Sequence, residues 1–139
     1  MLRSTGRMMW RLAAAGTVLV FGFPTVAVAE GCEGSAWAAP FKWGPESRDG
    51  GAFFGYPRMR MAYDWDVGGN VETYVCTQGW GFDEKNPHGG WFDTGCDKHG
   101  GKGLAPWGNN AATPKFRART AGPNGAVIAW GCGDGGPER

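Results

Sequence analysis

From Glu30 onward the chain holds one Leu (Leu104), one Ile (Ile128) and four Val. That supply excludes a core built mainly on aliphatic side chains. Helical periodicity is also missing there, while Gly, Pro, Asn and Thr recur, so amphipathic helices are not expected. Serine is scarce in the same stretch: only Ser35 and Ser47 occur, neither within G-x-S-x-G. A serine triad is therefore not expected. There is no C-x-x-C pair, so the commonest zinc-ligand spacing is missing. Charge of one sign is lacking too: 14 Lys and Arg stand against 13 Asp and Glu. Such a balance gives no electrostatic footprint for nucleic acid. Neither an internal repeat nor a collagen-like period is present.

Rings and glycine are abundant instead. Seven Trp, six Phe and three Tyr follow Glu30, and the whole chain has 26 Gly. Each ring buries on the order of 150–250 Å², so sixteen of them suffice for a small core. Glycines let the backbone approach large flat side chains.

The first residues read as a leader. Arg3, Arg7 and Arg11 form a positive segment, Leu12 to Phe23 is apolar, and Ala27-Val28-Ala29 is a small-x-small cleavage pattern. This predicts a secretory signal peptide over 1–29 and a single secreted domain over 30–139. The apolar run is shorter than the ~20 residues of a spanning helix, and no later segment could span. Without the three leader arginines, the 14 basic residues fall to 11 against 13 acidic ones, a net of −2. The Ala-, Gly- and Arg-rich leader hints at a bacterial source.

All four cysteines (Cys32, Cys76, Cys96, Cys132) follow the leader. An even number in a short exported chain reads as two disulfides. Three pairings are open. The nested one, Cys32–Cys132 with Cys76–Cys96, suits chain ends that lie close together. Bridges closing about 100 and about 20 residues would contribute ~4–5 and ~3 kcal/mol in the chain-entropy picture.

Alternation predicts strands. Met59, Met61, Tyr63 and Trp65 alternate with more polar residues, Gly68-Gly69 follows, and a second run extends from Val71 to Gln78. A hairpin about this turn would pair Tyr63 with Tyr74 and Met61 with Cys76, all on the core face. A second hairpin is expected about Gly122–Gly125, joining Lys115–Thr120 to Ala126–Cys132. Its first strand carries a stripe of Lys115, Arg117 and Arg119, read as a solvated face or an anion contact. Short strands are expected near 90–94, 104–107 and 37–43, and the tail 133–139 is expected to be loose. The fold expected is all-β: a small, disulfide-linked antiparallel β-sandwich or barrel with an aromatic core.

Three tryptophans adjoin glycine: Trp80, Trp91 and Trp107. Glycine beside Trp leaves a ring face open for stacking on a sugar. Asp93 and Asn109 could bond its hydroxyls. The expected function is thus non-catalytic binding of a glycan or cell-wall polymer, with no cofactor. Two alternatives remain open. One is an inhibitor or toxin-like effector contacting an extracellular protein through Asp83–Thr94. The other is a small hydrolase using two carboxylates among Asp83, Glu84, Asp93 and Asp97. Asp83, His88, Asp93, Asp97 and His99 also crowd together in sequence, but match no metal-binding spacing, so no metal is expected.

Overall fold

A computed structural model describes residues 32–48, 51–69 and 73–138. The expected signal peptide lies outside them. Every regular element among the described residues is a strand: β1 (Cys32–Pro40), β2 (Ser47–Arg48), β3 (Phe53–Phe54), β4 (Met59–Val67), β5 (Val75–Gly81), β6 (Gly90–Asp97), β7 (Gly100–Pro106), β8 (Ala111–Ala112), β9 (Lys115–Thr120) and β10 (Ala126–Pro137).

The main sheet runs β6-β5-β9-β1-β10-β4-β7, and β3 with β8 forms a separate small ribbon. Its two end strands, β6 and β7, are joined by Lys98 and His99 and lie side by side. The sheet is therefore a nearly closed barrel. Around a ring of seven strands the number of antiparallel neighbours must be even, so at least one pair has to be parallel. That pair is β1 with β9, through Ala38–Pro40 and Ala118–Thr120. After β1 the chain doubles back, and β2 covers the other half of the same β9 edge, pairing Ser47 with Phe116 and Arg48 with Lys115.

Period-two alternation fills the interior. Met59, Met61, Tyr63 and Trp65 of β4 point inward, as do Phe116 and Ala118 of β9 and Ile128 and Trp130 of β10. Rings dominate the centre. Phe116 and Trp130 stack at 5.2 Å with planes 9° apart. Tyr63 lies 6.2 Å from Phe116 and 6.1 Å from Trp130. Trp130 crosses over Gly34 to donate from Nε1 to Ser47 Oγ at 2.9 Å, and the Ser47 hydroxyl donates on to the Ser35 carbonyl at 2.8 Å. A buried indole N–H is thus satisfied by a strand on the far side of β1.

Neither expected hairpin forms. β4 pairs with β10 and β7, not with β5. The glycines of β7 explain part of this: Gly100, Gly101 and Gly103 lie opposite Asp66, Trp65 and Tyr63, where a side chain at Gly101 would crowd the Trp65 indole. β5 instead lies across the interior. Its inward residues are Val75, Thr77, Gly79 and Gly81, while Tyr74 is 53% exposed and Cys76 faces out. The expected register thus had the wrong parity, and a one-residue slip exchanges the faces. Likewise β9 and β10 flank β1 rather than each other. The small residues of β1 leave room for the Phe116–Trp130 stack. The tail also departs from expectation, because β10 continues to Pro137.

The disulfides join residues directly opposite each other in the sheet: Cys32–Cys132 between β1 and β10, and Cys76–Cys96 between β5 and β6. Near Cys76–Cys96 a bulge places Thr94 inward, with Gly95 in a left-handed conformation at φ 115°. Thr94 Oγ1 lies 2.7 Å from Thr77 Oγ1, and Trp65 Nε1 donates to the Thr94 carbonyl at 3.4 Å. The bulge re-aims β6 toward β7, where Gly103 lets the two backbones touch.

Candidate functional site

The outer face of β5, β6 and β9 carries what their inner faces reject. With Gly79 and Gly81 inward, Gln78 and Trp80 must point out; with Phe116 and Ala118 inward, Lys115 and Arg117 must. Register aligns them: Trp80 stands opposite Trp91, Gln78 opposite Asp93, and Gln78 also opposite Arg117. A strap between β1 and β2 adds Trp43. It is fastened where Gly44 N donates to the Ala118 carbonyl at 2.9 Å.

Together these side chains form a row in which rings and cations alternate. Lys115 Nζ sits 3.8 Å over the Trp80 ring and 5.9 Å from Trp91. The Arg117 guanidinium lies 4.4 Å from Trp91 and 4.9 Å from Trp43. Arg119 lies 4.7 Å from Trp43. Desolvated cation–π pairs contribute up to ~2 kcal/mol each, and exposed ones about 0.5–1 kcal/mol. Arg117 also donates from Nε and Nη2 to Gln78 Oε1, at 2.8 and 2.6 Å, while Gln78 Nε2 donates to Asp93 Oδ1 at 3.0 Å. Burial draws the Arg117 guanidinium below its ordinary value, opposed by the charge of Glu46. The basic stripe is therefore only partly a solvated face: Lys115 and Arg117 are half-buried against indoles, while Arg119 is exposed.

At the Trp80 end of this row lies an open cleft of about 450 Å³. Trp80 and Phe82 supply its rings, Asn110 and Thr113 its neutral polar groups, and Arg48, His88 and Lys115 its basic ones. Glu46 stands beside it, bonded to Arg48 and 3.6 Å from Lys115 Nζ. The hydrogen bond from Arg48, helped by the charge of Lys115, holds the Glu46 carboxyl below its ordinary value.

The structure separates the sequence candidates. Trp80 and Trp91 lie on the outer wall, edge to face at 5.2 Å and 79°. Trp107 does not: it is fully buried, with Phe53 and Phe82 against it edge-on, and its Nε1 donates to the Asn110 carbonyl. It closes the end of the core, and Gly108 beside it, at φ 71°, serves the turn rather than access to the ring. Asp93 is tied to Gln78 within the row, and Asn109 is exposed on the loop after Trp107. Neither lines the cleft; Asn110, next in sequence, does.

The acidic residues do not gather. Asp83 caps a turn by accepting from Asn86 N and Nδ2, at 2.8 and 2.9 Å. Asp97 accepts from His99 N and Gly100 N at the other end of β6, roughly 20 Å along a strand of that length. His88 lines the cleft, whereas His99 sits in the β6–β7 turn. Among the described residues no group of three or more His, Cys, Asp or Glu is placed to hold an ion.

Sequence reasoning missed Trp43, Arg48 and Glu46. It also missed the interleaving of Lys115 and Arg117 with rings. One signal was present: Lys115, Arg117 and Arg119 share one face of β9, and a strand face so charged on a half-buried sheet needs partners. No protein family, curated protein or solved structure matches the chain.

Proposed function

We propose that the protein is an exported, non-catalytic binding domain that holds a glycan or cell-wall polymer in the cleft beside Trp80. The observation that carries this reading is the lining: two rings beside neutral and basic hydrogen-bonding groups, open to solvent, with no Asp or Glu among the described residues there. Rings with a few placed polar groups are the usual make-up of a small-molecule site. A glycoside hydrolase needs two carboxylates about the scissile bond, one with a raised pKa. Among the described residues, the two carboxylates with a resolved shift, Glu46 and Asp97, are both lowered. Binding without turnover fits that chemistry better. Two cross-strand disulfides, in a chain with no helix long and apolar enough to cross a membrane among its described residues, are compatible with export.

Binding of an extracellular protein is favoured by a different observation. Trp37 and Val127 are opposite one another on β1 and β10 and are 46% and 55% exposed. That pair lies off the cleft, so variants separate the readings. Trp80→Ala, checked for folding by circular dichroism, is expected to lose retention on a panel of insoluble and soluble polysaccharides. Trp37→Ala is expected to keep it. Retention that survives Trp80→Ala would overturn the placement of the site, and no retention of the parent protein on any glycan would overturn the reading.

A further inference from the structure

We infer that the bound polymer is anionic, with a carboxylate or sulfate group of the sugar received between Arg48 and Lys115 where Glu46 now bridges them. This rests on the glycan reading above and narrows its substrate class.

Four observations point there. Among the described residues the cleft is lined by three basic side chains, Arg48, His88 and Lys115, and by no acid. Lys115 is preorganised: its side chain is only 18% exposed, and its ammonium is held 3.8 Å over the Trp80 ring. A cation already fixed in place loses little freedom when an anion arrives. Glu46 shows that a carboxylate fits, since its two oxygens already reach Arg48 and Lys115. Its side chain is 38% exposed and Arg48 is 57% exposed, and ion pairs so open to water are weak. A ligand anion can therefore displace Glu46 at small cost.

The fourth observation concerns the rings. Lys115 covers Trp80, and Arg117 covers Trp91. At Gly89, with φ 107°, a Cβ would collide with the Trp80 indole, so backbone presses on that ring as well. What this wall presents is therefore less open indole than cation held by indole. Lys115, Arg117 and Arg119 follow one another along β9 at intervals of roughly 7 Å. A row of that kind suits a polymer with repeated charge better than a single ion. The selectivity is local, because residues 30–139 carry 11 basic and 13 acidic side chains and are not generally attractive to polyanions.

The test pairs charged polymers with uncharged counterparts at physiological salt. Affinity electrophoresis is run with polygalacturonate and its fully methyl-esterified form, and with dextran sulfate and dextran. Cellulose and chitin are included as neutral insoluble polymers. Retention is expected on a charged polymer and not on its counterpart, and the two charged arms distinguish carboxylate from sulfate. Arg48→Gln is expected to weaken retention several-fold, the scale of one exposed ion pair. Glu46→Gln is expected to strengthen it several-fold, about 1 kcal/mol or less in an exposed pair. Opposite signs at neighbouring residues cannot arise from misfolding. Equal retention on esterified and free polygalacturonate, or a matching change in both variants, would overturn the inference and leave the glycan reading standing. No retention on any polymer, charged or neutral, would overturn both.

Discussion

Tyr63 of β4 lies against Gly79 of β5 across the barrel interior, so closely that a Cβ at Gly79 would collide with the phenol ring. The Tyr63 hydroxyl then donates to the Trp80 carbonyl at 2.7 Å. A core ring thus fixes the backbone of the residue that walls the cleft. Burial keeps that phenol protonated, well above its ordinary range.

Two substitutions probe this contact differently. Gly79→Ala inserts a methyl where the ring sits and is expected to destabilise by about 1–3 kcal/mol, as overpacking does. Tyr63→Phe keeps the ring and removes the bond, leaving the Trp80 carbonyl short of a partner, for about 1–3 kcal/mol. Urea unfolding monitored by near-ultraviolet circular dichroism measures both. A neutral Gly79→Ala would mean that β4 and β5 are not packed face to face.

The cation–aromatic row makes a separate prediction. Arg117 contacts two indoles and donates twice to Gln78. Arg117→Lys keeps charge but cannot form the paired hydrogen bonds from Nε and Nη2 or stack as a guanidinium does. Arg117→Lys is expected to recover only part of the roughly 1–3 kcal/mol lost in Arg117→Ala. Full recovery by Lys would show that charge alone matters there.

Acid sensitivity is expected at the β6–β7 turn. Backbone N–H groups of His99, then Gly100, hold the Asp97 carboxyl below its ordinary value. A carboxyl lowered in the folded state adds stability that is fully present above its unfolded pKa. That stability is lost as pH falls through the folded value. Asp97→Asn is therefore expected to be less stable than the parent near neutral pH. The difference should close as the pH falls through the lowered folded-state value, below which both side chains are uncharged. Urea midpoints across that range check it, and a gap that persists in acid would contradict it.

Much of the fold is legible in the residues, but its pairing is not. Scarce aliphatic side chains, abundant rings and four cysteines point to a disulfide-linked β-domain with an aromatic core, and the structure has one. Alternation also identifies Met61, Tyr63 and Trp65, and Ile128 with Trp130, as inward residues. What local pattern lacks is the identity of each neighbour. Gly68-Gly69 looks like a hairpin turn, yet β4 finds better partners in the glycines of β7 and in β10. Gly122–Gly125 joins two strands that β1 separates. Both errors come from long-range contacts that no turn signal encodes. The site shows the same division. Trp80 is picked out by the glycines beside it, although the expected parity of β5 would have turned it inward, whereas Trp43, Arg48 and Glu46 reach the outer wall only through the strap after β1. Trp107 shares with Trp80 a glycine neighbour, but it follows β7 and turns into the core, whereas Trp80 lies within β5 and turns out.

The most direct measurement is a two-dimensional ¹⁵N–¹H spectrum of the protein titrated with a short oligogalacturonate, read at the indole N–H groups and at the backbone amides. The Trp80 indole and the amides of Arg48 and Lys115 are expected to shift together and saturably, while the buried Trp107 and Trp130 indoles stay in place. Shifts confined to the Trp37 and Val127 face would contradict binding at the cleft, and no shift at all would contradict its taking a carboxylate-bearing sugar.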